Sequence, residues 1–401
     1  MKFLFSAVQC RLECDSGYVS DLTPVFECTG GRYQPTTPNM FFCKPAVAMI
    51  ISGVGEREIL STGTKCDQML SSIPNKNMIG HSVNLLDNEL ILGATTVDKE
   101  KSWRFMSLNN PRAGLLTNQW SQTKIVGLQA PRNHATLTFG KSLVYLGGDF
   151  NTQSLLQNGR KESGEWTLLK LLKRDTSKDE LFDKFASHAC STKVDSNKFL
   201  VIGGSHTDNE GTTSVLPDIF EVDILDKKVQ RLGEMNRART QHACATISKS
   251  SIDEDGVKTY SRAVLISGGV SITDDPQTIV DVVELFVLDD AESRDLSNKM
   301  QKPRFKHQMI QLGEEFLCLG GQTKEGTTKS IEKFRFSKES SFADFEASWE
   351  EHSKSLSSES TSSLAVTAIP ESAVECNKEV CQCGQSRQDR IIGGELVRNL
   401  I

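Results

Sequence analysis

The chain has 401 residues, with 46 Lys and Arg against 52 Asp and Glu, a formal charge of −6 and 37% hydrophobic residues. That length exceeds one average domain, and a mean hydropathy of −0.33 fits a soluble protein with a substantial core. The mixed, mildly acidic charge argues against nucleic acid as a partner, and no apolar run reaches the ~18 residues that a membrane span needs.

In chain order, MKFLFSAVQC comes first. Its single Lys and the apolar run from Phe3 to Val8 lie at the lower limit for a signal peptide, and a start inside a longer gene product explains them equally well. Of eleven cysteines, Cys10, Cys14, Cys28, Cys43 and Cys66 sit toward the N-terminus, and Cys376, Cys381 and Cys383 toward the C-terminus. Only Cys190, Cys244 and Cys318 lie between, each in an apolar segment that predicts a buried free thiol. Clusters at both ends of a Cys-poor middle predict disulfide-bearing termini and an oxidising compartment. The odd total leaves at least one Cys free or paired outside this chain. No N-x-Ser/Thr acceptor adds support for secretion.

Residues 12–45 read LECDSGYVSDLTPVFECTGGRYQPTTPNMFFCKP, with Cys14 before Gly17-Tyr18, then Cys28, Gly30-Gly31, Tyr33 and Cys43. This resembles the later part of a sushi (complement control) module, with Tyr33 where that family usually has Trp. The resemblance implies that Cys14, Cys28 and Cys43 are its second, third and fourth cysteines, and that Cys14 bridges Cys43. The first cysteine is missing, and Cys10 is a poor substitute only four residues before Cys14. Either Cys10 bridges irregularly or the sequence starts inside the module; the alternative is a Cys-bearing loop that caps the next domain.

The middle of the chain repeats itself. PRNHATLTFGKSLVYLGG covers 131–148, FASHACSTKVDSNKFLVIGG covers 185–204, ARTQHACATI at 238 resumes as SRAVLISGG at 261–269, and PRFKHQMIQLGEEFLCLGG covers 303–321. IGHSVNLLDNELILGA at 79–94 is a weaker copy, and the histidines His81, His134, His188, His242 and His307 are 53, 54, 54 and 65 residues apart. Each copy reads as an alternating strand, a polar turn and an apolar strand stopped by Gly-Gly. A variable third strand follows, such as IFEVDIL at 219–225 or VVELFVL at 282–288, and then a fourth that carries Trp120, Trp166 or Leu232. Four strands cannot bury both faces of their sheet alone, whereas sheets stacked in a ring can.

On His134, His188, His242 and His307 and the pairs Gly147-Gly148, Gly203-Gly204, Gly268-Gly269 and Gly320-Gly321, the region resembles the kelch family of β-propellers. The expected fold is all-β: a kelch-like β-propeller of about six four-stranded blades, with five or seven also compatible, and small disulfide-bearing termini. SSLAVTAIP at 362–370 lacks a Gly-Gly partner and is expected to join the first blade and close the ring. The repeated histidines read as structural, one per blade and far apart, with no metal site and no cofactor. Polar loops at 149–165, 205–218, 248–260 and 270–278 are candidate contact surface for a protein or glycan ligand.

After a Ser-rich stretch at 351–363, the tail carries Cys376, Cys381 and Cys383 and ends in Arg390-Ile391-Ile392-Gly393-Gly394-Glu395. Three thiolates could bind zinc, but a disulfide is simpler. RIIGG fails as another second strand. QSRQDR before it is too charged, no His-bearing strand lies upstream, and too few residues follow. It resembles the activation junction of trypsin-like serine proteases. The resemblance implies cleavage between Arg390 and Ile391 by an activating protease, and a Cys376 or Cys383 bridge to a catalytic domain. That family's His, Asp and Ser would lie beyond Ile401, and no catalytic residue is assigned here.

The domain expectation is therefore a partial sushi-like module over 1–45, a propeller over 46–370, a Cys-containing linker over 371–390 and the start of a protease domain over 391–401. The leading functional reading is a non-catalytic, ligand-binding regulatory region of a secreted mosaic protease zymogen. An intracellular kelch scaffold that binds a protein partner is the alternative. A third is a full-length product that is itself a serine endopeptidase.

Overall fold

An apolar run closed by two glycines makes a strand that is buried on both faces and stops abruptly. Ser142–Leu146, Lys198–Ile202, Lys258–Ser267 and Glu315–Leu319 each end at the residue before a Gly-Gly pair. Leu143, Leu146, Phe199, Leu200, Val264, Leu265, Phe316 and Leu317 on these strands have no exposed surface. Two-sided burial explains why these stretches are continuously apolar rather than alternating. Each such side chain contributes about 1.5–3 kcal/mol.

The computed structural model describes residues 2–5, 9–13, 17–19, 25–29, 32–35, 43–60, 68–70, 78–86, 89–96, 101–107, 121–123, 133–139, 142–148, 154–156, 166–168, 171–173, 185–195, 197–208, 210–252, 258–272, 278–336, 342, 347–357 and 363–369. All assigned elements among them are β-strands, and no helix is long and apolar enough to cross a membrane. Trp120, Cys14, Cys66, Cys376, Cys381, Cys383, Arg390 and Ile391 lie outside the described residues.

The fold is an all-β propeller. Four antiparallel blades each take four strands from one continuous stretch of chain. The Gly93 blade is Met78–Leu86, Glu89–Thr96, Lys101–Ser107 and Ser121–Thr123. The Gly147 blade is Ala135–Phe139, Ser142–Leu146, Ser154–Leu156 and Trp166–Leu168. The Gly268 blade is Ala243–Ile252, Lys258–Ser267, Glu284–Val287 and Glu292–Asp295. The Gly320 blade is Gln308–Leu312, Glu315–Leu319, Ser330–Phe336 and Ala347–Ser355.

Two further sheets are built differently. The Gly203 sheet has five strands, because Leu172–Lys173 adds in parallel outside Lys228–Glu234. The closing sheet draws on both ends of the region: Leu364–Ile369 pairs antiparallel with Val47–Ser52, followed outward by Arg57–Leu60 and Gln68–Leu70. SSLAVTAIP thus seals the ring as its sequence suggested. The expectation of about six equivalent four-stranded blades is corrected to four of that kind. One sheet gains a strand from the incoming chain, and another is assembled from two distant segments. Disulfides are not confined to the termini. The bridge described with both its cysteines, Cys190–Cys244, lies within the ring, although Cys43 near the N-terminus is also disulfide-bonded.

The innermost strands, Leu364–Ile369, Met78–Leu86, Ala135–Phe139, Cys190–Lys193, Ala243–Ile252 and Gln308–Leu312, touch in that order, and the last returns to the first. The apolar core is accordingly divided into slabs between neighbouring sheets. Phe316, Phe334 and Trp349 of the Gly320 blade meet Leu265 and Leu285 of the Gly268 blade. Phe199 and Val222 meet Val144 and Leu146 in the same way.

At the N-terminus, Lys2–Phe5, Gln9–Glu13, Val25–Thr29 and Arg32–Pro35 form a separate four-stranded sheet. Tyr18–Val19 pairs with Lys44–Pro45. The Gly17 carbonyl accepts the backbone N–H groups of Ala46 at 3.0 Å and Gly313 at 2.7 Å, which ties this segment to a turn of the Gly320 blade.

Candidate functional site: the axial cavity and its mouth

The inner strands begin from a shared backbone device. Gly80, Asn133, His188, Gln241 and Lys306 all have φ between +53° and +57°. The N–H of Asn133 donates to the Gly80 carbonyl at 3.4 Å, His188 to Asn133 at 2.9 Å, Gln241 to His188 at 3.2 Å and Lys306 to Gln241 at 2.8 Å. Consecutive sheets are thus linked by main chain around one mouth of the ring.

The residue after the left-handed position turns inward. In four sheets it is a histidine: His81, His134, His242 and His307. Each ring lies against the preceding sheet. The His81 Nε2–H donates to the Ile51 carbonyl at 2.9 Å, His134 Nε2 is 3.2 Å from Ser82 Oγ, and His307 Nε2 is 2.9 Å from Ser267 Oγ. This close approach requires the first glycine of each pair. Gly203 (φ +57°) and Gly268 (φ +59°) would place a Cβ 2.9 Å and 2.7 Å from the Cε1 atoms of His242 and His307.

His188 departs from the sequence alignment. Ser187 bridges Ser205 just as Thr240 bridges Val270 and Phe305 bridges Gln322. His188 therefore takes the left-handed place of Gln241 and Lys306, and Ala189 takes the histidine slot. The expectation that the histidines are far apart is also overturned, because the first strand of each sheet is the innermost one. His81, His134, His242 and His307 line one axial cavity of about 260 Å3, together with Ser82, Asn84, Thr136 and Gln308. Burial holds the imidazoles neutral: His81 is lowered to about 4, His134 to about 3 with His81 as a further cause, and His242 to about 3 with Arg239 adding to burial. His307 is held well below the usual range by burial, then by Arg304 and His242.

Cys190 and Cys244 also border this cavity, and they are bonded to each other with a Cα–Cα distance of 6.0 Å. The expectation of two free thiols is thereby corrected. They occupy neighbouring inner strands and face each other across the gap between sheets. Cys318 is a free, buried thiol, and burial pushes its pKa up to about 12.

Two buried ion pairs that the sequence reading missed stand behind the histidines. Arg239 pairs with Glu284, and Arg304 with Glu332, and all four side chains have no exposed surface. Arg304 Nη1 also donates to the carbonyls of Gly320 at 3.0 Å and Ser330 at 2.9 Å, while Glu332 accepts the N–H groups of Gln301 and Lys302. Each arginine precedes its blade histidine by three residues, in ARTQH and PRFKH, which is the signal that could have revealed them.

The glycine pairs lead into small hairpins on the histidine side of the ring. These are Ser205–Thr207 with Thr213–Val215, Val270–Ser271 with Thr278–Ile279, and Gln322–Thr323 with Gly326–Thr327. The Asp208 carboxylate organises one tip by accepting the N–H groups of Glu210 at 2.9 Å and Thr212 at 2.8 Å. The insertion at 248–260 instead lengthens the hairpin between Ala243–Ile252 and Lys258–Ser267, which turns at the opposite face. Among the described residues, no cluster of three or more His, Cys, Asp or Glu is arranged to hold a metal ion.

No protein-family profile matches the chain, and neither does any curated protein. A solved structure described as "Structure of YjhT" shares 10% identity with a TM-score of 0.54, covering 84% of this chain and 97% of that chain. At that identity the likeness carries the fold alone, which is a β-propeller.

Proposed function

We propose that this chain is the non-catalytic, ligand-binding N-terminal region of a secreted mosaic serine protease zymogen of the trypsin type. A β-propeller is capable of ligand binding, and the rim hairpins at 205–215, 270–279 and 322–327 are its proposed contact surface for a protein or glycan. In this reading a sushi-like module covers 1–45, a kelch-type propeller 46–370, a cysteine-bearing linker 371–390, and the beginning of the protease 391–401. Cleavage after Arg390 would free the Ile391 amine.

The observation that carries the reading is the Cys190–Cys244 bridge between inner strands, joined by a bonded Cys43. Protein disulfides persist in oxidising compartments and are rare where thiols are kept reduced. This favours the secreted mosaic over the intracellular kelch scaffold, which shares the propeller but leaves the cysteines unexplained. The Arg390-Ile391-Ile392-Gly393-Gly394 stretch supplies the protease part.

Peptide mapping of native protein without reductant tests the compartment. The expected result is a Cys190–Cys244 cross-linked peptide and bonded terminal cysteines; a fully reduced set refutes secretion. Transcript sequencing past the Ile401 codon tests the protease. The expected frame carries His, Asp and a Gly-Asp-Ser-Gly segment, and full-length transcripts that stop at Ile401 refute it.

A further inference from the structure

We infer that the axial cavity is a binding site for one small, neutral, polyhydroxylated molecule of monosaccharide size. This site is separate from the rim hairpins and stands whether or not the chain belongs to a zymogen. The first ground is polarity without charge. Every inner strand contributes to the lining, yet its described residues include no Asp, Glu, Lys or Arg, and burial keeps its histidines neutral. A charged ligand would enter without a counter-charge and lose its hydration, which is costly. A neutral hydrogen-bonding ligand meets no such penalty.

The second ground is a set of buried polar atoms that lack a partner. Nδ1 of His81, His134 and His307 and Nδ2 of Asn84 are all inaccessible and make no hydrogen bond within the protein. His81 is 7% exposed, Asn84 9% and His307 2%. Native proteins pair nearly all such atoms, and because these have no accessible surface a ligand reaches them only once the imidazole and amide groups turn toward the cavity that their residues line. Their chemistry narrows the choice. His81 Nε2 faces a carbonyl, which can only accept, so Nε2 carries the proton and Nδ1 presents a lone pair. Asn84 Nδ2, three residues along the same strand, can only donate. A hydroxyl group satisfies both kinds of atom, because it donates and accepts. A molecule with several hydroxyls can answer several such positions at once.

The third ground is size. A volume of about 260 Å3 falls just below the ~300–1,000 Å3 of pockets for drug-sized ligands. It suits a single sugar ring and excludes a peptide or an oligosaccharide from full burial.

The test uses the full chain with its disulfides intact. D-galactose, D-mannitol, D-glucuronate and D-glucosamine are titrated by calorimetry and by saturation-transfer NMR near neutral pH. The expected result is saturable binding of a neutral probe, with the two charged sugars at least tenfold weaker. His81→Gln should abolish the binding. Because that change also alters the group that bonds Ile51, Thr136→Val and Gln308→Leu provide a second reading. Both are expected to leave the melting temperature within error of the parent. Each should weaken the neutral probe by about tenfold, which is the ~1.4 kcal/mol of one hydrogen bond. Three results would overturn the inference: no saturable binding of either neutral probe, charged sugars binding as tightly as neutral ones, or binding untouched by both Thr136→Val and Gln308→Leu.

Discussion

Acid should unfold this propeller from its axis outward, and His81 measures how strongly. In the folded state burial lowers its pKa from 6.5 to about 4. Between those values the unfolded chain binds a proton that the folded chain refuses. Stability is therefore complete above pH 6.5 and is lost progressively as pH falls toward about 4. The slope for one such group approaches 1.36 kcal/mol per pH unit, so the full window costs about 3 kcal/mol. His242, lowered to about 3, adds a window of the same sign that extends lower, and His307 shifts in the same direction. The Glu284 carboxyl, raised by burial, opposes them. Against a typical total of 5–15 kcal/mol, two or three buried imidazoles are enough to bring on acid unfolding. The assay is urea unfolding in half-unit pH steps across the window, for the parent and for His81→Gln. At neutral pH the variant should stay near the parent's stability, because the Gln amide can donate to the Ile51 carbonyl in place of the imidazole. Its stability should also fall with acid less steeply, by about 1.4 kcal/mol per pH unit. Identical slopes for the two proteins would refute the reasoning, since they would mean that His81 titrates equally in both states.

Other perturbations test the frame. Cys190→Ser with Cys244→Ser opens a loop of 54 residues, and the loop-closure relation gives a loss of up to about 4 kcal/mol, read by urea unfolding and mimicked by reductant. Gly269→Ala places a Cβ 2.8 Å from both the His242 Cβ and the Thr240 carbonyl, at φ +94°. Its melting curve should show a loss of about 2 kcal/mol or more. Glu332→Gln, which leaves the buried Arg304 without its counter-charge, should cost ~3–5 kcal/mol, and Arg304→Met with Glu332→Leu should recover most of that in a double-mutant cycle.

The propeller was legible because its copies repeat a two-sided apolar strand with a fixed stop. FLVIGG and FLCLGG announce burial and termination in six letters. Closure by SSLAVTAIP was legible for a related reason: it is a strand with no partner of its own. The inner register was not. His188-Ala-Cys190 and His242-Ala-Cys244 match letter for letter, yet the backbone sets them one residue apart, because His188 is left-handed at φ +55°. Letters record side chains, whereas the sign of φ decides which residue turns inward. That same offset lets Cys190 face Cys244, which an alignment of like with like conceals. Nor does one histidine per repeat reveal convergence, which depends on the first strand lying nearest the axis. The pairing of the buried Arg239 and Arg304 was hidden because their glutamates lie 45 and 28 residues further on.

The main-chain links at the mouth also carry a consequence for variation. From Gly80 through Asn133, His188 and Gln241 to Lys306, neighbouring sheets are joined by main-chain amide and carbonyl. These links are consequently made without the side chains of Asn133, His188, Gln241 and Lys306. An amide, an imidazole and an ammonium already occupy equivalent places. Exchanges among them would alter the charge around the opening while leaving its dimensions fixed. Two restrictions hold: at Gly80 a Cβ would lie 2.6 Å from the Asn133 backbone nitrogen, and at the other places the left-handed backbone disfavours Val, Ile and Thr. The molecule thus holds a set of interchangeable fittings on a constant frame, and its selectivity could be retuned there without rebuilding the ring.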